Sequence, residues 1–141
     1  MTELYTDWPD PEGQEIVERL FAADAALRAH FEKTAAAVGL TVPQAHTLVQ
    51  LGQPLRMGQI AGQLHCEPSH VTGIADALEQ GGFVRREPDP DDRRAKRLVL
   101  TASGQQLRGR LLARLFEQAP IISVLDADQR TTLLSLLRLA Q

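Results

Sequence analysis

The sequence predicts a mainly helical protein with one small β-hairpin, and three observations within residues 67–101 carry this prediction. Pro68 opens a segment in which apolar residues recur at helical spacing: Val71, Ile74, Ala75 and Leu78. Gly81-Gly82 ends that segment, because glycine adopts the left-handed conformation at little cost. Two β-prone runs, residues 83–86 and 98–101, flank a polar turn that contains two prolines. A helix followed by a hairpin with a basic tip is the outline of a winged helix.

The N-terminal part of the chain predicts a long amphipathic helix. Residues 1–14 contain Pro9, Pro11 and Gly13 and are expected to be irregular, with Tyr5 and Trp8 as apolar anchors. Apolar residues form one stripe from Glu15 onward: Ile16, Leu20, Ala23, Leu27, Phe31 and Val38. The stripe fits two roles, an ordinary core helix and a dimer helix.

The middle of the chain predicts a helix-turn-helix. Thr41 is expected to cap a helix, with Gln44 three residues later as in a capping box. Gly52 and Pro54 end it, residues 55–56 form a minimal strand, and residues 57–65 form a short helix. This short helix and the helix that Pro68 opens are joined by a tight turn, as in a helix-turn-helix.

The C-terminal part predicts two further helices. One begins after Thr101 and stops near Pro120, and Asp126 caps the other, with Gln129 three residues on. The last helix is apolar around much of its circumference, so a second copy of the chain is the simplest cover for it. We therefore divide the chain into an N-terminal arm and dimerisation helix, a winged helix-turn-helix domain and C-terminal dimerisation helices: residues 1–38, 39–101 and 102–141.

Composition indicates one globular domain, or slightly more than one, in a reducing compartment. The chain has 141 residues, 43% of them hydrophobic, and no apolar run reaches the ~18 residues of a membrane span. The N-terminus lacks the basic-then-apolar order of a secretory signal. The single cysteine, Cys66, excludes an internal disulfide. We expect a cytoplasmic protein without a membrane partner.

The charge distribution favours a nucleic-acid partner, although the net charge of −3 argues against one. Residues 1–32 hold eight acidic side chains and two arginines. The basic side chains of the hairpin are concentrated instead within a short stretch: Arg85, Arg86, Arg93, Arg94, Lys96 and Arg97. Such a patch gives a local positive potential that the net charge hides.

The residue types of this region suit the two grooves of a DNA duplex. Ser69, His70 and Thr72 are short polar residues near a helix N-terminus, which suits readout of base edges in the major groove. An arginine at the hairpin tip suits the narrow minor groove. Asp92 lies two residues before Arg94, so its carboxylate is expected to hold that guanidinium in a bidentate pair. Capping and solvation are the alternative roles of these residues.

At these residues the chain resembles the MarR family of winged-helix transcription regulators. Residues 86–104, REPDPDDRRAKRLVLTASG, are similar to the family's wing signature, with Asp-x-Arg at the tip and Leu-Thr-x-x-Gly before the next helix. Three further segments are similar to the family's recognition helix, the segment entering the helix-turn-helix and the last helix: residues 68–84, 40–52 and 126–140. The resemblance covers roughly residues 15–140.

The resemblance implies a homodimer, built by the first and last two helices, that binds palindromic DNA near a promoter, usually as a repressor. Two recognition helices would then lie about one DNA turn apart, ~34 Å. The resemblance makes Asp92 and Arg94 the wing-tip pair and matches Ser69, His70 and Thr72 to positions of the recognition helix. From the basic pattern of the wing we expect further DNA contacts at Arg85, Arg93 and Lys96. Gly73 departs from the family, which often has arginine there, and a DNA contact is in doubt at this position.

The resemblance also implies a small-molecule inducer, often an aromatic or phenolic acid, in a cleft between the dimer region and the winged helix. His30, His46 and Arg86 are the candidate anchors. The alternative is that Arg86 binds phosphate and that the histidines are ordinary surface or core residues. His65, Cys66 and His70 are too few for a structural zinc site, and we expect no metal and no cofactor. A redox role for Cys66 lacks support from the sequence, because exposure and an electropositive setting decide thiol reactivity.

The sequence thus predicts a homodimeric DNA-binding transcriptional regulator, a repressor released by a small ligand. The alternative is a winged helix that serves as a protein-interaction module, and salt-sensitive, sequence-specific DNA binding separates the two. An enzyme is not expected, because the sequence shows no Ser/His/Asp set, no glycine-rich phosphate loop and no paired carboxylates.

Overall fold

The computed structural model describes residues 9–140, and within them the chain forms six α-helices and one three-stranded antiparallel sheet. The helices are α1 (Pro11–Ala37), α2 (Val42–Gln50), α3 (Met57–Leu64), α4 (Pro68–Gln80), α5 (Ala102–Leu112) and α6 (Ala127–Leu139). The strands are β1 (Leu55–Arg56), β2 (Val84–Pro88) and β3 (Lys96–Leu100). A π-helical turn (Ala113–Glu117) extends α5, and a 3-10 turn (Ile122–Val124) precedes α6. The expected anchors Tyr5 and Trp8 lie outside the described residues.

Helix α1 begins earlier than the sequence predicted. The expectation was irregular chain through residue 14, whereas the helix starts at Pro11. Asp10 caps it, because its carboxylate accepts the N–H of Gly13 at 3.0 Å. Proline in the first helical turn gives up no intrahelical hydrogen bond, so Pro11 is a start signal rather than a break.

Helices α3 and α4 form the helix-turn-helix, α2 packs against both, and the core lies between these helices and the sheet. The predicted capping box at Thr41 and Gln44 is confirmed, with the two hydrogen bonds at 3.3 and 3.1 Å. The largest fully buried side chains of these helices and of the elements that pack on them are Leu48, Ile60, Val71, Leu78, Val84, Leu98, Leu107 and Leu111. Helix α5 is tied to the end of α2, because Arg108 Nε donates to the Val49 carbonyl at 2.9 Å.

The sheet has the order β1-β3-β2, with β2 and β3 as the two strands of the wing. The predicted minimal strand at residues 55–56 is confirmed, and it pairs with β3 through Leu55 opposite Leu98. Both wing strands extend closer to the tip than the β-prone runs predicted, because the pairing continues from Val84–Leu100 to Pro88–Lys96. The wing loop, defined here as residues 89–95, is therefore short.

The junction between the wing and α5 accounts for the Leu-Thr-x-x-Gly pattern. The Thr101 hydroxyl donates to the Gly82 carbonyl at 2.6 Å and accepts the Gly104 N–H at 3.1 Å, so it caps α5 while holding the end of α4. Gly82 has φ +77°, the left-handed conformation expected for the stop after α4. A Cβ at Gly104 would lie 1.9 Å from the Phe83 carbonyl oxygen, so only glycine fits.

The terminal helices α1 and α6 bury fewer side chains within one chain than the helices of the winged helix do. Helix α6 has no buried residue, and four leucines on it are exposed: Leu134, Leu136, Leu137 and Leu139. The first half of α1 likewise exposes Ile16, Leu20 and Phe21, and its buried residues, Thr34 and Ala35, lie near its C-terminal end. None of the helices in residues 9–140 is both long enough and apolar enough to cross a membrane.

Candidate nucleic-acid interface

Helix α4 presents a polar side to solvent because its apolar side is fully used by the core. Val71, Ala75 and Leu78 are buried against the rest of the helix-turn-helix. The predicted readout residues Ser69, His70 and Thr72 are all exposed in the first half of the helix. The Thr72 hydroxyl is only loosely held, at 3.4 Å from the Pro68 carbonyl. Short polar side chains are thus free to meet a ligand along this side.

Three basic side chains stand exposed at the tip of the wing. Arg93 and Arg94 lie in the wing loop, and Lys96 begins β3. Among the ion pairs of the described residues, none involves these three side chains. A cation that has no carboxylate partner in the free protein keeps its full charge available for a phosphate or a groove.

The other arginines of the wing strands are already engaged. Arg97 Nε donates to Glu87 at 2.9 Å, and Arg85 Nε lies 3.5 Å from the same carboxylate. The hydrogen bond from Arg97 holds the pKa of Glu87 below its ordinary value, and the nearby charge of Arg85 adds to this. Arg85, which was predicted to bind DNA, therefore lies close to an acidic neighbour, although its side chain remains 60% exposed.

Arg86 joins the wing to the recognition helix rather than to the histidines. Its guanidinium donates to the Asp76 carboxylate and, at 3.2 Å, to the Thr72 carbonyl of α4. Arg86 therefore lies apart from the other candidate ligand anchors, His30 and His46. The reason is the register of β2, which directs Arg86 toward α4.

Asp92 acts on the backbone of the wing loop and not on the Arg94 guanidinium. Its Oδ1 accepts the Arg94 N–H at 3.0 Å, and the described contacts contain no ion pair between the two side chains. The expected bidentate pair is thus replaced by a short turn, because a carboxylate two residues before an N–H reaches it more directly than it reaches the end of an arginine side chain. Arg94 is left free at the tip.

Arg56 and Asp89 are the residues that the sequence interpretation missed. Arg56 Nε donates to Asp89 at 2.7 Å, and the second guanidinium contact is 3.2 Å long. Asp89 was assigned only to a polar turn and Arg56 only to a minimal strand. The Asp-Pro-Asp sequence of the turn was an available signal, since aspartate often accepts an N–H two residues later, as Asp89 does from Asp91 at 2.8 Å.

His30 and His46, the other two predicted ligand residues, lie together on a cavity of about 510 Å³ between α1, α2 and the π-helical turn. The His46 ring packs edge-on against Phe31 with the centroids 4.5 Å apart. His30 Nε2 lies 3.0 Å from the Arg114 carbonyl, to which it donates in the tautomer protonated at that nitrogen. The remaining lining is mostly apolar: Leu27, Phe31, Val49, Gln50, Leu115, Phe116, Ala119 and Ile122.

Comparison with known proteins shows the fold and matches the middle of the chain to a family. The model of the MarR family matches residues 40–96, which run from the start of the helix-turn-helix through the wing loop. Residues 40–96 of the chain are therefore similar to the MarR family of winged-helix regulators. MarR-family proteins are DNA-binding regulators and not enzymes.

A curated relative and two solved structures extend the MarR-family match. PecS of Dickeya dadantii, an HTH-type transcriptional regulator, is 34% identical over 64% of this chain and 57% of its own length. The YusO protein of Bacillus subtilis is 27% identical, with a TM-score of 0.73 over 96% of this chain and 99% of that one. Sco3205 of Streptomyces coelicolor, a MarR family regulator solved in complex with DNA, has the same fold at 24% identity, a TM-score of 0.73 and coverage of 96% and 89%. The chain spans 30 to 57% of the length of the curated relatives it matches.

Proposed function

We propose that this protein is a MarR-family regulator, namely a homodimeric, sequence-specific DNA-binding repressor that a small molecule releases from its operator. One observation carries the proposal: the exposed polar side of α4 lies beside a wing whose tip holds three unpaired cations, Arg93, Arg94 and Lys96. A helix in the major groove and an arginine in the adjacent minor groove would give direct and shape-based readout together.

The exposed apolar residues of α1 and α6 support the proposal of a homodimer. Phe21 is 63% exposed and Leu136 is 59% exposed in the single chain. Burying such side chains between two copies is favourable at roughly 25 cal/mol per Å². We therefore propose that residues 1–38 and 102–141 serve the dimer and that residues 39–101 serve DNA binding. A two-fold dimer presents two recognition helices, which a palindromic duplex matches.

The cavity at His30 and His46 supports a small apolar ligand, in keeping with an aromatic or phenolic inducer. The lining is mostly apolar, and two imidazoles are the titratable groups among the lining residues. A concave apolar site with few polar groups is the usual form of a small-molecule site. Its position between α1, the helix-turn-helix and the end of α5 would let an occupant alter the angle between dimer helices and DNA-binding domain.

Selection of bound sequences from a random duplex pool, at two salt concentrations, tests the DNA-binding proposal. We expect a palindrome whose affinity falls steeply as salt rises, because phosphate contacts release counterions. Recovery of no common sequence by the wild-type dimer would contradict sequence-specific binding and favour the protein-interaction alternative.

Arg94→Ala tests the wing contact on the selected duplex. We expect weaker binding by roughly tenfold and a salt slope smaller by about 1, because one cation leaves the interface. Arg110→Ala is the matched control, since it removes the same charge from an exposed position on α5. Equal affinities of the two variants would rule out the assigned role of Arg94.

A series of phenolic acids, titrated into the complex of protein and selected duplex, tests the ligand site. We expect at least one of them to release the DNA from the wild-type protein. Val49→Phe fills the cavity from α2, so the same acid should fail to release DNA from this variant. Release that is unchanged in Val49→Phe would show that the acid acts elsewhere.

A further inference from the structure

The carboxylate of Asp89 is buried at the base of the wing loop and is fully supplied with donors. The residue is 6% exposed. Arg56 donates to it at 2.7 and 3.2 Å, and the N–H groups of Asp91 and Asp92 donate at 2.8 and 3.3 Å. An ionised carboxylate is stable when buried only with such partners. Four donors on one side chain, in a loop of seven residues, mark it as the centre of the loop's structure.

The backbone of the wing loop closes around this carboxylate. The Asp89 N–H donates to the Ala95 carbonyl at 2.9 Å, and the Ala95 N–H donates to the Asp92 carbonyl at 2.9 Å. The Asp92 side chain then accepts the Arg94 N–H at 3.0 Å. The positions of Arg93 and Arg94 therefore follow from a chain of hydrogen bonds that begins at Asp89.

Arg56 connects this loop to the body of the domain. It is the last residue of β1 and lies immediately before α3, and its own N–H is held by Gln59 Oε1 at 2.9 Å. β1 is fixed to β3 by the pairing of Arg56 with Arg97. A two-stranded ribbon twists readily where no third strand supports it, and beyond the Arg56–Arg97 pair only Pro88 and Lys96 continue the pairing before the wing loop begins. The guanidinium of Arg56 thus reaches the point where the ribbon would otherwise be free.

We propose that Arg56 and Asp89 form a positioning clamp that holds the wing loop at a fixed place relative to α4, so that Arg93 and Arg94 reach one groove while α4 occupies the next. Neither clamp residue needs to touch DNA for this. The proposal rests on the DNA-binding function proposed above and adds residues that set its geometry. It differs from an Asp92–Arg94 pair, because the fixed element is the whole loop and its anchor lies on β1.

The clamp holds over a wide pH range. The hydrogen bonds from Arg56 and from the backbone of Asp91 lower the pKa of Asp89 to about 2, so the carboxylate is ionised wherever the protein works. Asp89 likewise raises the pKa of Arg56. The pair is consequently a permanent constraint rather than a switch.

Removing the Asp89 charge separates this proposal from simple electrostatics. A carboxylate near DNA repels phosphate, so its neutralisation alone should strengthen binding. Loss of the clamp should weaken binding, because the wing then loses conformational entropy when it becomes ordered on the duplex. The sign of the change in affinity therefore distinguishes the clamp from simple electrostatic repulsion of phosphate.

The experiment compares Asp89→Asn with Asp91→Asn on the palindromic duplex recovered by selection with the wild-type protein. Asp91 is exposed in the same loop, and the replacement removes the same charge while leaving its N–H in place. We expect Asp89→Asn to bind roughly tenfold more weakly, the scale of one charge-assisted contact, and Asp91→Asn to bind as tightly as wild type or slightly more tightly. Binding by Asp89→Asn that equals or exceeds that of Asp91→Asn would overturn the proposal.

A shortened duplex, trimmed of the outer base pairs that the wing reaches, provides the readout that general destabilisation would not change. The difference between Asp89→Asn and wild type should disappear on it, because the wing no longer contributes. A difference that persists on the shortened duplex would assign the effect to the fold as a whole and overturn the clamp. If the wild-type protein selects no duplex, the DNA-binding function itself fails, which is a different result from a duplex that both variants bind equally.

Hydrogen exchange in the free protein tests the clamp without DNA and covers the case in which Asp89→Asn does not fold. In Arg56→Gln, the amides of Asp91 and Asp92 should exchange faster than in wild type, while the amide of Leu98 in the core of β3 should be unchanged. Arg56→Lys keeps the charge but loses the bidentate geometry. Its Asp91 and Asp92 amides should therefore exchange at rates between those of wild type and Arg56→Gln. Unchanged exchange at Asp91 and Asp92 in Arg56→Gln would overturn the proposal.

Discussion

The winged-helix region and the terminal helices differ in how much of their structure one chain can complete. Residues 40–112 bury Leu48, Ile60 and Leu98 to 0% exposure, and each of their elements packs on another. Helix α6 buries nothing, and Leu139 at its end is 83% exposed. The winged helix thus buries its core within one chain. The terminal helices leave apolar residues exposed, which a second copy could cover.

This difference does not lie in the helices' local signals. Helix α2, in the core, has the Thr41–Gln44 capping box, and α6 has an equivalent box at Asp126 and Gln129, with hydrogen bonds of 2.8 and 3.0 Å. Capping fixes where a helix starts, and tertiary packing supplies most of its stability. Capping boxes on both a buried and an exposed helix therefore show that the two helices differ in their packing within the chain and not in their local start signals.

Truncation before Asp126 should produce the largest change. Without α6 the dimer surface loses its leucines, so we expect monomer or aggregate in light scattering at concentrations where the full chain is dimeric. The far-UV and near-UV circular dichroism of the winged helix should be largely retained. A folded dimer of the truncated chain would show that α6 is not required for assembly.

Gly104→Ala should destabilise the winged-helix region instead. Its Cβ would meet the Phe83 carbonyl oxygen at 1.9 Å, and the shift needed to relieve this overlap should lower the free energy of unfolding by about 3 kcal/mol. Gly109→Ala, on the same helix with open space around it, is the control and should stabilise by roughly 0.5–1 kcal/mol. Urea denaturation of both variants measures the difference, and equal stabilities would contradict the packing described at this junction.

Thr101→Ala should have a smaller effect on the same junction. It removes the cap of α5 and the bond to the Gly82 carbonyl, for a loss of about 1 kcal/mol in the free energy of unfolding. Thr101→Ser keeps the hydroxyl and should recover most of this loss. If Ser and Ala destabilise equally in thermal melts, the methyl group rather than the hydroxyl is responsible.

The smallest effect concerns acid stability. The pKa of Asp89 falls from 3.8 to about 2 on folding, so its ionised form stabilises the fold above pH ~4, and this contribution is lost as pH falls from about 4 to about 2. The stability difference between wild type and Asp89→Asn should therefore shrink over that range in denaturant titrations. A difference that stays constant down to pH 2 would exclude a depressed pKa at this residue.

Much of the architecture follows from local sequence, because its signals act over a few residues. Thr41, Asp126 and Pro68 mark helix starts that the structure confirms, and the strand at residues 55–56 is also confirmed. The earlier start of α1 was misjudged because Pro11 was taken as a break. These outcomes depend on capping chemistry within one turn of helix.

The details of the interface depend on contacts that sequence spacing does not reveal. Arg56 and Asp89 are 33 residues apart, and only the β1–β3 pairing brings them together. Arg86 was a candidate for a ligand or a phosphate, but the register of β2 turns it to Asp76. The location of basic residues at the wing was therefore predictable, whereas which of them remain free was not.

The mass of the wild-type protein in solution, followed by light scattering during dilution, tests the central claim most directly. The account predicts a particle of twice the 15.5 kDa of one chain that persists to low concentration, since the exposed faces of α1 and α6 are then covered. A folded, stable monomer of 15.5 kDa across the dilution series would contradict it, because those apolar helices would then stand in water without a partner.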